Sequence, residues 1–347
     1  MHQYLYQKFF ARLSFKKAAS PRPRVHHLVS AERRNLRTIC GRQPGGCELG
    51  PRPIDLHLSA LRTMGYAVED EGGRITCRGR GKPSEVHLTF PSVGATENIL
   101  LSATAIPGTT RIVNAAREPE IEDLAAYLGK CGAVITGAGS SVIHIEGGRK
   151  LCAAEHTILP DRIAAATFAA ACAAAGGEVL LKRVIPAHFS SVTALLEGAG
   201  CRVRTAGDAV EIVRGAQYAP FFSVRTMPYP GFPTDAQAVM MAAALGGKGI
   251  SAFTETIFES RFRHAEEMRR MGADIRLYGR SALVFGGNRL CGADVAADDL
   301  RGGAALMLAA LAAEGESTVD NMKYVERGYD GIVNALCSLG AEVSAVG

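Results

Sequence analysis

The sequence predicts an α/β fold made of a tandem repeat and arranged in two domains. Three observations predict it. A helix-ending glycine recurs at Gly65, Gly132, Gly200, Gly272 and Gly340, at spacings of 67, 68, 72 and 68 residues. A second landmark keeps phase with it, at Ser92, Asp161, Asp235 and Asp299. Between the two run stretches of small apolar residues, too polar-poor for a surface helix and too short for a membrane span.

The elements follow in order. "LRTMGYAV", "LGKCGAVI", "LEGAGCRV", "MRRMGADI" and "LCSLGAEV" each read as an amphipathic helix stopped by glycine and followed by a strand. "FPSVGAT", "LPDRIAAAT", "FPTDAQA" and "DDLRGGAA" each read as a helix start, and each leads to a glycine turn at Gly108, Gly177, Gly249 or Gly315. A unit is therefore a small-residue helix, a strand, a second helix and one or two more strands. The period exceeds that of the common solenoids, about 20 to 50 residues, so each unit has subdomain size. Ala164–Ala175 and Ala236–Leu245 are apolar all round and are expected to be buried. Arg261–Met271, with a charged stripe, is expected to face solvent. About four and a half units are present, since residues 1–42 show no landmark.

Composition narrows the class. The chain has 347 residues, 47% of them hydrophobic and 21% charged, enough for two domains with sizeable cores. The net charge of +5 is unevenly placed. Ten of the 39 Lys and Arg but only one of the 34 acids fall in residues 1–42, so that segment carries +9 and the remainder −4. The acidic remainder argues against a nucleic-acid partner. No apolar run reaches the 18 to 20 or so residues of a membrane span. Nine cysteines without a C-x-x-C pair suggest neither a disulfide framework nor a zinc site, and a reducing cytoplasm fits them. An Arg-rich, acid-poor leader can be a transit peptide or a nucleic-acid tail; here residues 1–42 are expected to be an aberrant, poorly ordered start.

Chemistry is expected at the helix starts, where unpaired N–H groups favour anions. Asp235 suits an N-cap and also a general base; Asp161 and Asp299 suit caps alone. Arg162, Arg261, Arg301 and Arg327 recur beside helix starts, and arginine matches carboxylate and phosphate geometry. Cys47, in "QPGGCELGPRP" beside Arg52, is placed for an accessible thiol of lowered pKa; the other eight cysteines read as buried and inert. "GAGSS" (137–141), between two strands, reads as a turn rather than a phosphate loop.

Taken together, "PGGCELGPRPIDLH", "PSVGATEN", "NAAREPEIEDLA", "PYPGFPTDAQA", "TETIFESRF", "DLRGGAAL" and "ERGYDGI" resemble the UDP-N-acetylglucosamine 1-carboxyvinyltransferase family of enolpyruvyl transferases, from about Pro44 to the C-terminus. The resemblance implies an inside-out α/β prism of EPSP synthase type, with two domains of βαβαββ units. The first domain, 43–158, is expected to be incomplete and the second to run over 159–347. It implies transfer of the enolpyruvyl group of phosphoenolpyruvate to the sugar 3-hydroxyl with release of phosphate, in the cytoplasm, by a monomer, with no metal or organic cofactor. Position by position, Cys47 is then the loop thiol that fosfomycin alkylates. Arg52, Arg301 and Arg327 grip phosphoenolpyruvate, and Arg261 helps close the cleft. Arg52, Pro53, Ile54, Asp55 and Leu56 line the uridine end. Ser92, Val93 and Gly94 hold the pyrophosphate, Ile257 touches the nucleotide sugar, and Asp235 takes the hydroxyl proton. The family's Lys-Asn pair is absent, and Ala164 stands where the family commonly has Glu. An inactive remnant that binds the nucleotide sugar, or the sister 5-enolpyruvylshikimate-3-phosphate synthase, are the competing expectations.

Overall fold

Glycine placement sets the architecture. All five repeat glycines adopt positive φ, from 87° at Gly65 to 104° at Gly132, a region other residues enter only with strain. Each ends a helix, and at Gly65, Gly132, Gly200 and Gly272 the chain then turns into a strand; the strand expected after Gly340 does not form among the described residues, which end at Ser344. The structure, a computed structural model, describes residues 38–42, 54–71 and 74–344. They fall into two units, one reaching Leu159 and the other running from Pro160.

In the first unit a partial repeat comprises β1 (Thr38–Arg42), α1 (Asp55–Thr63), β2 (Ala67–Glu71) and β3 (Arg74–Arg78), with β3 antiparallel between β1 and β2. A complete repeat follows: β4 (Glu85–His87), α2 (Val93–Thr104), β5 (Gly108–Val113), α3 (Pro119–Lys130), β6 (Val134–Thr136) and β7 (Val142–Gly147). Its sheet order is β4-β5-β7-β6, with only the first pair parallel.

The second unit holds α4 (Arg162–Ala175), β8 (Glu178–Lys182), a 3-10 turn at Pro186–Phe189, α5 (Ser190–Gly198), β9 (Arg202–Ala206) and β10 (Ala209–Val213). A complete repeat comes next, of β11 (Ser223–Arg225), α6 (Thr234–Ala244), β12 (Gly249–Thr254), α7 (His264–Arg270), β13 (Asp274–Tyr278) and β14 (Ser281–Gly286). The last elements are β15 (Asp294–Ala296), α8 (Leu300–Leu311), β16 (Thr318–Asp320), α9 (Lys323–Glu326) and α10 (Ile332–Ser338). The sheets run β8-β10-β9, β11-β12-β14-β13 and β15-β16.

In each repeat the second strand pairs antiparallel with the fourth: β5 with β7, β8 with β10, β12 with β14. β1 pairs with β3 in the same way. The segment 1–42, expected to stand outside the repeat, therefore ends in a strand in the second-strand place. Main-chain pairing requires no side-chain landmark, so the sequence pattern did not reveal it.

The cores follow from the small-residue helices. α4, α6 and α8 pack on one another and are buried over most of their surfaces. Alanine loses no rotamer entropy and lets helix axes approach closely. The unit is thus built inside out, with apolar helices within and sheets around them. Ala236–Leu245 is buried as expected; Ala164–Ala175 is buried except at its two ends and at the half-buried Phe168. The helix expected over Arg261–Met271 is shorter, since α7 begins at His264, and Arg261 itself is 3% exposed. α7 does turn Glu266 and Arg270 outward. In the first unit α2 packs against α1, α3 and the sheet through Ile99, Leu100, Ile121, Leu124, Ile143 and Ile145.

Gly147 and Gly286 close the two complete repeats. A Cβ at Gly147 would collide with the carbonyls of Ala103 and Ile106, and one at Gly286 with those of Ala244 and Gly247. Strand end and helix end meet there without room for a side chain. The "GAGSS" segment is a turn, with Ser140 donating to the Gly137 carbonyl at 2.8 Å. Among the described cysteines, Cys77, Cys131, Cys172 and Cys201 are buried, whereas Cys152, Cys291 and Cys337 are exposed, against the expectation that all were buried. Cys152 and Cys291 lie outside the named helices and strands, and Cys337 sits in the last turn of α10 on the side away from the buried Ile332 and Leu336. No helix among the described residues is long and apolar enough to cross a membrane.

Candidate active site

Three buried helices begin with an acid, and the chain uses the three acids differently. Asp161 caps α4, its Oδ1 accepting from Ile163 N at 2.8 Å and Ala164 N at 3.0 Å. Asp299 caps α8, its Oδ1 accepting from Arg301 N at 2.9 Å and Gly302 N at 3.0 Å. Asp235 does not occupy the cap position. The N-cap of α6 is Pro233, which has no capping side chain, and Asp235 lies inside the first turn. In "LPDRIA" the acid follows proline directly; in "GFPTDA" a threonine intervenes and carries the acid into the helix.

Two arginines take up the carboxylate. Arg261 Nη2 donates to Asp235 Oδ1 at 2.8 Å, and Arg301 Nη2 donates to Oδ2 at 3.2 Å. Both side chains are buried, at 4% and 5% exposure, while that of Asp235 is 35% exposed. The acid is thus the accessible member of a sunken cluster. Burial alone would lower the pKa of Arg301, but Tyr329, Asp235 and Asp161 outweigh it and raise it further, so the guanidinium keeps its charge.

Each of the four arginines singled out by sequence also has an aromatic ring against it. Arg301 lies 5.1 Å from the Tyr329 centroid, Arg261 5.3 Å from Phe258, Arg327 5.3 Å from Tyr324 and Arg162 5.4 Å from Tyr229. Such stacking holds a guanidinium in place without using its N–H groups.

Ile257 is placed by Glu255, which the sequence reading missed. Glu255 is 1% exposed. It accepts from Thr226 Oγ1 at 3.0 Å, Thr234 Oγ1 at 2.8 Å, Ile257 N at 2.8 Å and Phe258 N at 3.1 Å. His264, also missed, is 3% exposed and lies beside the first turn of α8. The buried glutamate stands in the quoted "TETIFES" motif, but its burial has no local signature.

In the first unit, Ser92 caps α2 and accepts from Ala95 N at 3.3 Å, with Val93 and Gly94 in the first turn. Ile54 is the N-cap of α1, and Asp55 and Leu56 open that helix. The two helix starts are tied by His57, whose Nδ1 lies 2.6 Å from Asn98 Nδ2. A Cβ on Gly94 would come within 3.0 Å of His57. Burial lowers the pKa of His57, in keeping with a neutral ring that accepts from Asn98. The fold thus places Ile54, Asp55, Leu56, Ser92, Val93 and Gly94 in one unit and Asp235, Ile257, Arg261, Arg301 and Arg327 in the other, with Arg261 and Arg301 brought directly onto Asp235. Cys47, Arg52 and Pro53 lie outside the described residues. Among the described residues no group of three or more His, Cys, Asp or Glu is placed to hold a metal ion.

The inside-out α/β unit is the fold that the resemblance to the enolpyruvyl transferases implied, and the comparisons with known proteins agree. The model of the EPSP synthase (3-phosphoshikimate 1-carboxyvinyltransferase) family matches residues 34–336, and the chain belongs to that family. Similar solved structures share the fold. The enolpyruvyl transferase NikO from Streptomyces tendae superposes with a TM-score of 0.78 at 24% identity, covering 88% of this chain and 74% of that one. An EPSP synthase from Acinetobacter baumannii does so with a TM-score of 0.64 at 20% identity, covering 88% and 75%.

Sequence relatives are closer to one branch. The chain is 51% identical over 305 residues to UDP-N-acetylglucosamine 1-carboxyvinyltransferase 1 of Symbiobacterium thermophilum, covering 87% of this chain and 69% of the relative. It is 46% identical over 301 residues to UDP-N-acetylglucosamine 1-carboxyvinyltransferase 2 of Caldanaerobacter subterraneus subsp. tengcongensis, covering 86% and 72%.

Proposed function

We propose that the chain transfers the enolpyruvyl group of phosphoenolpyruvate to the 3-hydroxyl of UDP-N-acetylglucosamine and releases phosphate, as the first committed step of peptidoglycan synthesis. One observation carries the chemistry: Asp235, at a buried helix start, has both oxygens oriented by buried arginines while its own side chain is half-exposed. The relatives' shared name supplies the substrates.

The sugar hydroxyl oxygen forms a bond to C2 of phosphoenolpyruvate and its proton passes to Asp235. C3 gains a proton, for which the Cys47 thiol is the donor we assign. Loss of a C3 proton and of the C2–O bond to phosphate then restores the double bond. Positive charge develops at C2 between anionic groups, and fixed guanidiniums hold those groups without reorganising. Arg52, Arg301 and Arg327 are assigned to the carboxylate and phosphate of phosphoenolpyruvate, and Arg261 to the closed form of the site. Ile54–Leu56 and Ser92–Gly94, with Arg52 and Pro53, are assigned to the nucleotide and its pyrophosphate, which suits a helix N-terminus. Ile257 is assigned to the sugar. We further assign a monomer that works in the cytoplasm.

Phosphate release from phosphoenolpyruvate tests this, with and without UDP-N-acetylglucosamine. Release that depends on the nucleotide sugar is expected, with a fall of about 10²- to 10⁴-fold in kcat for Asp235→Asn and a large fall for Cys47→Ala. Nucleotide-sugar binding without release would make the chain a binder. Release with shikimate 3-phosphate instead would assign it to the sister reaction.

A further inference from the structure

Tyr329 is 4% exposed, and its ring lies 5.1 Å from Arg301. Its hydroxyl is 2.8 Å from Thr167 Oγ1, 162 residues away on α4. Thr167 Oγ1 also donates to the Ile163 carbonyl at 2.8 Å. A threonine hydroxyl has one hydrogen and a carbonyl can only accept. Thr167 therefore uses its hydrogen on Ile163 and accepts from Tyr329, which fixes the direction of the bond.

Arg301 needs such a support. Only its Nη2 bonds to Asp235; Nε and Nη1 are buried with no hydrogen-bond partner. A guanidinium held through one nitrogen can pivot about that bond, whereas a ring packed against its plane stops the pivot. The tyrosine in turn is stopped by α4, a rigid buried helix.

We infer that Tyr329 is a positioning residue for Arg301: its ring sets the guanidinium plane, and its bond to Thr167 fixes the ring, so α4 steadies the arginine that α8 presents to Asp235. The inference rests on the proposed reading in one respect, that Arg301 serves the phosphoenolpyruvate side of the reaction. The support reaches a polar partner one turn inside α4, a helix that contributes no residue to the Asp235 cluster itself.

The test uses the full chain with Tyr329→Phe, Thr167→Val, the double variant and Thr167→Ser. Tyr329→Phe keeps the ring and loses the bond to Thr167 together with the hydroxyl's own polar contact with Arg301; Thr167→Val keeps the shape and loses only the bond to Tyr329. Each is expected to lower kcat/KM for phosphoenolpyruvate about ten-fold, with KM for UDP-N-acetylglucosamine unchanged within about two-fold. The double variant should be no worse than Tyr329→Phe alone, since the Thr167 bond is already lost there, and Thr167→Ser should keep the wild-type rate. Additive losses, or lower melting temperatures with unchanged kinetics, overturn the inference.

A second readout does not depend on turnover. The Arg301 side-chain Nε–H resonance, identified by its loss in Arg301→Lys, should shift in Tyr329→Phe and Thr167→Val and return in Thr167→Ser. A wild-type chain without turnover would sink the proposed function. The resonance would then decide the positioning role, and an unmoved resonance would overturn it.

Discussion

The two complete repeats, one in each unit, have the same sheet and different corners. Orders β4-β5-β7-β6 and β11-β12-β14-β13 agree, each with a three-residue parallel pair and a six-residue antiparallel pair. The loop after the second strand differs. After β5, Asn114 adopts φ 60° and donates Nδ2 to the Leu88 carbonyl at 2.8 Å. After β12, the equivalent corner is tied by a buried carboxylate, Glu255, that gathers four donors. Main-chain pairing and glycine placement set the repeat; the corner decides what each copy can carry. In the second unit the corner fixes Ile257, the start of α6 and, through Phe258, the ring behind Arg261.

The largest effect should come from breaking the stronger corner. Glu255→Ala leaves two hydroxyls and two backbone N–H groups without their acceptor in a nearly closed site. A loss of about 3 kcal/mol or more is expected. Asn114→Ala loses one bond and puts alanine in a conformation that asparagine tolerates better, for about 1 to 2 kcal/mol. Chemical denaturation of both variants checks this. Equal losses would mean that the corners are interchangeable and that the carboxylate adds nothing.

The units should also answer pH in opposite directions. His264, in the second unit, is pushed down to about 4 from 6.5, by burial first, with Arg261 adding to the effect and Asp299 opposing it. Between those values the unfolded chain binds a proton that the native unit does not, so stability falls as pH drops from 6.5 to 4, by about 3 kcal/mol. Glu97, in the first unit, is pushed up to about 8 from 4.5, by burial first and then by Glu120 and Glu118. There the native state keeps a proton that the unfolded chain releases, so its contribution is full below about 4.5 and is lost as pH rises to 8. Calorimetry from pH 4 to 9 should show the second unit weakening towards acid and the first towards alkali. His264→Gln and Glu97→Gln should each flatten one trend. A common trend in both units would break the contrast.

What could be read from the sequence was periodic or local. The glycine landmarks, the buried alanine helices and the caps at Asp161 and Asp299 each depend on neighbours within one turn. The shift of Asp235 into its helix was also local, a single threonine after the proline, although the spacing of the landmarks masked it. The arginines were found by recurrence, but not their grip, because Arg301 meets Asp235 across 66 residues. Glu255, His264 and Tyr329 were missed because burial and ring stacking are settled by elements distant in the chain. Strand β1 was missed for the opposite reason, since backbone pairing leaves little trace in side chains.

The smallest effect separates the helix starts themselves. α2 is capped by a neutral hydroxyl through one bond of 3.3 Å, whereas α4 is capped by a carboxylate oxygen through two, at 2.8 and 3.0 Å. A charged cap also meets the positive end of the helix. Asp161→Ala should therefore cost about 1 to 2 kcal/mol and Ser92→Ala about 0.5 kcal/mol, read as midpoint shifts at constant slope in urea. Asp161→Asn divides the cap from the charge, because asparagine caps as well as aspartate. If it keeps wild-type stability, the two N–H bonds carry the effect. If it loses as much as alanine, the charge carries it, and Arg301 is a cation on which Asp161 acts. The acid that caps α4 would then also support the cluster at Asp235, and the division between the capping acids and the clustered one would be less sharp than their hydrogen bonds suggest.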